Sequence, residues 1–173
     1  MNKIFGIGLS RTGTTTLTHV LKDLGYNIVH YPRSEKEIQN TDGATDIPVT
    51  VRYKELDKMY PGSKFIYTIR NREQWIESIV PYLGRKKTWK GFPQTQVNIR
   101  TQMYGDPFPN AEQAALAYDK HDKDVREYFK GREQDLLILD IVGGDTVDML
   151  TDFLGCSSIG TNQFPVYNTL KKK

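Results

Sequence analysis

The sequence predicts an α/β fold: a three-layer arrangement in which a parallel sheet is flanked by helices on both faces. Two observations carry that expectation. Short apolar runs at Ile4 to Leu9, Lys64 to Ile69 and Leu136 to Ile141 alternate with stretches of helical periodicity. Strands separated by helices imply right-handed βαβ crossovers, and such sheets bind ligands beyond the carboxyl ends of their strands. A chain of 173 residues fits one domain, taken as 1–173.

The elements follow in order. Ile4 to Leu9 is apolar, short and ends in a glycine turn, as a buried strand does. Leu17, Val20, Leu21 and Leu24 recur at helical spacing, and Gly25 stands where the helix should stop. Tyr26 to His30 reads as a second strand and Lys54 to Met59 as a short helix closed by Pro61-Gly62. After the strand Lys64 to Ile69, Trp75, Ile76, Ile79 and Val80 mark a helix that Pro81 is expected to end. Residues 82–109 carry prolines, glycines and basic side chains without a clear period and read as irregular. Asn110 caps a long helix reaching about Phe129, with Ala114, Tyr118, Val125 and Phe129 on its inner face. The strand Leu136 to Ile141 and a helix from Thr146 to Leu154, closed by Gly155, complete the pattern.

Composition excludes little. Apolar residues make up 38% and charged residues 26%, and 24 basic against 21 acidic side chains leave a net charge of +3. That balance gives no global field of the kind that nucleic acid requires. The single cysteine, Cys156, rules out an intrachain disulfide and fits a reducing compartment. The apolar N-terminal run is too short for a signal peptide, and no stretch has membrane-spanning length, so a cytoplasmic location is expected. No His/Cys/Asp grouping has metal-ligand spacing, and no metal is expected.

Gly8-Leu9-Ser10-Arg11-Thr12-Gly13-Thr14-Thr15-Thr16 follows a strand and opens a helix. Glycines let consecutive N–H groups turn toward one anion, and the helix start adds its unsatisfied N–H groups and partial positive charge. Arg11 supplies a full charge, and the threonines supply hydroxyl donors. The spacing from Gly8 to Gly13 is that of a nucleotide triphosphatase loop, but Thr14 stands where the lysine belongs. The loop therefore suits a phosphate ester that needs no Mg²⁺.

This string resembles the 5′-phosphosulfate loop of sulfotransferases that use 3′-phosphoadenosine 5′-phosphosulfate (PAPS). Its Arg-Thr-Gly-Thr-Thr version is similar to the small bacterial-type families of that group. The resemblance implies a P-loop nucleotide-hydrolase-like fold in which Arg11, Thr12, Gly13, Thr14 and Thr15 hold the 5′-phosphosulfate. A second string, the strand Lys64 to Ile69 followed by Arg70-Asn71 and then Ser78, resembles the 3′-phosphate site of the same family. By that match Arg70 and Ser78 grip the 3′-phosphate, and the spent product is adenosine 3′,5′-bisphosphate (PAP). Arg72 reads as solvated, and Trp75 as core packing rather than an adenine platform.

Sulfuryl transfer needs charge stabilisation at the departing 5′-phosphate oxygen, the task expected of Arg11, and a base near the acceptor hydroxyl. In the animal cytosolic enzymes a Thr-His-Leu-Pro segment carries the base. Here Thr45-Asp46-Ile47-Pro48 is similar to it, so Asp46 is the first candidate base, and His30, ending the second strand, is its rival. His19 and His121 fall within helices and read as uninvolved. Thr16 stands where those enzymes have an adenine-stacking tryptophan, and their Arg-Lys-Gly segment is missing.

The resemblance leaves the acceptor unnamed: a small molecule or a carbohydrate, with no nucleic acid and no membrane. The basic stretch Arg85, Lys86, Lys87, Trp89, Lys90 and Arg100 reads as a solvated loop by default, with a lid over the cofactor, a groove for an anionic sugar and, more weakly, a nucleic-acid arm as alternatives. Lys171 to Lys173 read as a solvated tail, with replacement of the missing Arg-Lys-Gly segment as the alternative. Rival readings are a P-loop kinase for a small molecule and a non-catalytic nucleotide-binding module. The oligomeric state is not set by the sequence.

Overall fold

Ile4, Phe5 and Gly6 are all buried and form β1 (Ile4–Gly6) at the centre of a five-stranded sheet. The remaining strands are β2 (Ile28–His30), β3 (Gly43–Thr45), β4 (Lys64–Thr68) and β5 (Leu136–Leu139). Their order is β2-β3-β1-β4-β5, and every pairing is parallel. The computed structural model describes residues 2–88, 91–157 and 160–165. Trp89, Lys90 and Lys171 to Lys173 lie outside the described residues.

The helices are α1 (Thr14–Asp23), α2 (Glu35–Gln39), α3 (Ile47–Thr50), α4 (Tyr53–Met59), α5 (Arg72–Gly84), α6 (Gln94–Tyr104), α7 (Ala111–Tyr128) and α8 (Val147–Leu154). Two compact units contain them: residues 1–69 with 133–173, and residues 70–132.

The first unit holds the sheet. On one face Ile4, Ile28, Ile66 and Leu139 pack with Leu17, Val20 and Leu21 of α1 and Val147 and Leu150 of α8. Strand alternation sends Phe5 and Phe65 to the opposite face. There the two rings lie 5.5 Å apart, and Phe5 meets Tyr60, just beyond α4, at 5.8 Å. Helices thus flank a parallel sheet, the α/β class that the alternating pattern predicts.

Sequence periodicity misses β3. Its three residues Gly43-Ala44-Thr45 include no large apolar side chain, and glycine is a poor strand signal. Glycine is required here nonetheless, because a Cβ at position 43 would sit 1.9 Å from the Ile4 carbonyl oxygen of the neighbouring strand.

The second unit is helical. Asn110 caps α7 by accepting from the Gln113 N–H at 2.9 Å while Gln113 returns a bond to the Asn110 N–H at 3.0 Å, a reciprocal capping box. Trp75 of α5 is fully buried, with ring centroids 5.1 Å from Tyr118 and 6.4 Å from Tyr104, so its side chain is core.

Three expectations are corrected in this unit. Pro81 does not end α5, which runs on to Gly84; a proline removes its own N–H and crowds the carbonyl four residues back, and on the exposed face where Pro81 lies that carbonyl can tilt out to water. Residues 82–109 are not irregular, because α6 lies within them; its buried face consists of Arg100 and Tyr104, which apolar periodicity does not register. Arg72 is not merely solvated, for its Nε and Nη2 donate to Asp119 Oδ1 and Oδ2 at 2.6 and 2.7 Å.

Candidate functional site

At the carboxyl end of β1 the chain turns through Ile7 to Gly13 and enters α1 at Thr14. Gly8 is confined: a Cβ there would lie 1.9 Å from Thr68 Oγ1 and 2.6 Å from the Thr68 carbonyl, at the tip of β4. Gly13 has φ +103 and caps α1 without a side chain. The first-turn N–H groups of a helix have no partner within the helix itself, and Gly13, as N-cap, has no side chain to cap them. A Cβ on Gly13 would also press Ile141 at 3.2 Å, so the helix start packs closely on the segment after β5.

Bonds from three neighbours brace the loop. Thr12 is buried, its hydroxyl donates to the Leu9 carbonyl at 2.7 Å, and its N–H reaches the same oxygen at 3.2 Å. Because that hydroxyl has given up its single proton, the contact at 2.7 Å with Thr68 Oγ1 must be a donation from Thr68. Both donors of Thr12 are therefore turned inward, and it shapes the loop. Thr50 Oγ1 of α3 donates to the Gly8 carbonyl at 2.8 Å, and Ser10 Oγ donates to Asp46 Oδ1 at 3.1 Å. Arg11 and Thr15 are half-buried and Thr14 is buried, at the loop and the first turn of α1.

Non-glycine residues with positive φ are uncommon. Among the described residues there are three, Arg11 at φ 76, Tyr31 at φ 58 and Asp46 at φ 78. They follow β1, β2 and β3 respectively, so unusual backbone collects along the carboxyl edge of the sheet. Asp46, with ψ −180, occupies a region that is essentially reserved for glycine.

The same edge brings the two candidate bases together. His30 ends β2 and Asp46 follows β3, its hydrogen-bonded neighbour. Nε2 of His30 lies 3.5 Å from Asp46 Oδ2, and Nδ1 lies 3.0 Å from Thr45 Oγ1 and 3.1 Å from Thr18 Oγ1. The titration of His30 is displaced below its ordinary value. Burial is the largest cause; Asp46 opposes it, while the nearby His19 and Lys22 act in the same direction as burial. The imidazole is thus neutral near pH 7 and able to accept a proton.

Sequence reasoning names His30 and Asp46 separately and misses Thr18 and Thr45. The register of β2 against β3, together with the placement of α1 over them, is what joins the four. Arg70 and Ser78 belong to the helical unit. Arg70 is half-buried and its carbonyl accepts from Tyr118 Oη at 2.6 Å; Asn71 caps α5 by accepting from the Gln74 N–H at 3.1 Å; Ser78 is buried on α5. His121 is buried on α7, and Cys156 is half-buried as a free thiol.

Among the described residues no group of three or more His, Cys, Asp or Glu is placed to hold a metal ion. None of their helices is long and apolar enough to cross a membrane.

The profile of the sulfotransferase domain family matches residues 3–40 and 33–172. No curated protein matches the sequence. Among solved structures, the crystal structure of mouse sulfotransferase SULT7A1 complexed with PAP matches at 18% identity with a TM-score of 0.49. The alignment covers 91% of this chain, which spans 60% of the length of that one.

Proposed function

Because this chain belongs to the sulfotransferase domain family, we propose that it moves a sulfuryl group from PAPS to a hydroxyl or amine of a small-molecule or sugar acceptor. The observation that carries this reading is the braced loop at the end of β1. It brings Arg11, Gly13, Thr14 and Thr15 to a helix start whose N-cap is a glycine, with threonine in place of the lysine that a triphosphate loop uses. The residues fit a phosphosulfate: N–H groups and one guanidinium offer donors to anionic oxygens, and the site calls on no divalent ion.

In this assignment Arg11 and the start of α1 stabilise negative charge as it grows on the departing 5′-phosphate oxygen. Thr12 holds the loop's shape rather than the anion. By the sequence resemblance, Arg70 and Ser78 take the 3′-phosphate. The base for the acceptor lies in the His30–Asp46 pair, which Ser10 ties to the phosphate loop through its bond to Asp46. PAPS supplies the sulfuryl group; the chain supplies binding, orientation and the proton's destination. The whole of 1–173 is assigned to this one activity, in a cytoplasmic setting whose reducing character the lone cysteine fits.

The test is ligand stabilisation without metal. PAP should raise the melting temperature more than AMP or ATP does, in the presence of a chelator. Stabilisation by ATP that requires Mg²⁺ would instead assign the loop to a kinase. A screen for label transfer from PAPS to sugars, phenols and amines then separates an enzyme from a binding module.

A further inference from the structure

We infer that Thr18 and Thr45 form a hydroxyl relay that fixes the proton of neutral His30 on Nδ1. Nε2 is thereby left as the atom that takes the acceptor's proton, with Asp46 as its counter-charge. The catalytic part of this inference rests on the sulfuryl-transfer reading; the placement of the proton does not.

The argument is a count of hydrogens. Thr18 Oγ1 lies 2.8 Å from the Thr14 carbonyl, an oxygen that only accepts, so the single Thr18 proton is committed there. Thr18 and Thr45 hydroxyls are 2.6 Å apart, and with the Thr18 proton gone Thr45 must be the donor. Both hydroxyl protons are now used. Nδ1 of His30 nevertheless lies within hydrogen-bond distance of both oxygens, and the only proton left for those contacts is its own. The imidazole is the Nδ1–H tautomer.

Burial keeps the relay in place. Thr45 is fully buried and Thr18 is 3% exposed, so water is excluded from competing for these bonds. The relay starts at the Thr14 carbonyl, in the first turn of α1, and ends at β2. The helix that presents the phosphate loop therefore also orients the base.

Nε2 carries the lone pair, and it faces Asp46 Oδ2 at 3.5 Å. Two acceptor atoms at that separation attract a proton between them. An acceptor hydroxyl supplies it: its oxygen forms the new bond to sulfur, and its proton passes to Nε2. The bond from sulfur to the 5′-phosphate oxygen breaks, and its electron pair remains on that oxygen. The resulting imidazolium is then paired with Asp46, while Lys22 and His19, the other charged or titratable groups acting on the ring, disfavour it. Thr18 and Thr45 touch no reacting atom and are positioning residues.

The experiment is long-range proton–nitrogen NMR of the His30 ring in the ligand-free protein, at a pH above its titration. The native protein should show Nδ1 protonated and Nε2 unprotonated; a native Nε2–H tautomer overturns the proposal without any variant. Thr18→Val combined with Thr45→Val removes both acceptors for Nδ1–H, and the proton should move to Nε2, toward Asp46. Thr45→Ser keeps the hydroxyl and should keep Nδ1–H. Persistence of Nδ1–H in the double valine variant refutes the relay. On any acceptor found by the screen, the double variant should lose about 10²-fold or more in kcat with little change in KM for PAPS. A loss confined to KM overturns the catalytic role. Failure of PAP to stabilise the protein would remove the donor reading and leave the tautomer result standing on its own.

Discussion

His30 and Asp46 stand 3.5 Å apart at the ends of two hydrogen-bonded parallel strands, one offering an imidazole nitrogen and the other a carboxylate oxygen. The segment from Gly8 to Gly13 reaches the same pair through Ser10. The loop proposed to hold the phosphosulfate and the pair proposed to take the proton are thus parts of one braced edge.

His30 should impose a pH dependence on both stability and rate. Its folded-state titration lies below the unfolded value of 6.5, because burial and the nearby Lys22 and His19 outweigh Asp46. Between the two values the unfolded chain binds more protons, so stability falls as pH drops below about 6.5. His30→Asn should flatten that part of a melting-temperature profile. Turnover should fall on the acid side as His30 takes up its proton, below its ordinary value because of burial. An unchanged acid limb in His30→Asn would exclude the histidine as base.

Asp46 sits at φ 78 and ψ −180, where a side chain is strained. Asp46→Gly relieves that strain and Asp46→Ala keeps it, while both lose the Ser10 bond. The glycine variant should be more stable than the alanine variant by about 1–3 kcal/mol in urea unfolding, and both should lose turnover. Equal stabilities would mean that the backbone relaxes at no cost.

Gly8 has no room for a side chain against Thr68. Gly8→Ala should destabilise by about 1–3 kcal/mol and weaken PAP binding more than Gly84→Ala, whose added Cβ meets nothing within 4 Å. Denaturant melts and a PAP titration of the two variants make the comparison.

Arg70→Ala should abolish the preference for PAP over AMP while leaving AMP binding near its native level. Trp75→Ala, by contrast, should cost about 3–5 kcal/mol, since its ring is wholly buried against Tyr104 and Tyr118. Should Trp75→Ala leave stability intact and remove nucleotide binding, the ring is a platform for adenine and not core.

Much of the architecture is legible locally. Ile4, Phe5 and Ile7 announce a buried strand, Leu17, Val20 and Leu21 a helix face, and Asn110 with Gln113 a helix start, because each depends on neighbours in sequence. β3 and α6 are not legible in that way. Gly43 is chosen by the closeness of the Ile4 carbonyl, and the inner face of α6 is an arginine and a tyrosine rather than aliphatic side chains. Pro81 misleads because a proline is a local signal, and the helix around it continues to Gly84 in spite of its cost.

By itself the sequence determined the alternation of strands and helices, the glycine–threonine loop with threonine in the lysine position, and the two residues proposed as base. Only the tertiary structure decided that those two are partners, that Thr12 serves the loop's own shape, and that Thr18 and Thr45 reach the imidazole. The reason is register. Whether His30 meets Asp46 depends on how β2 is aligned against β3, and a parallel pairing is set by long-range burial across the sheet and not by the residues adjacent in the chain.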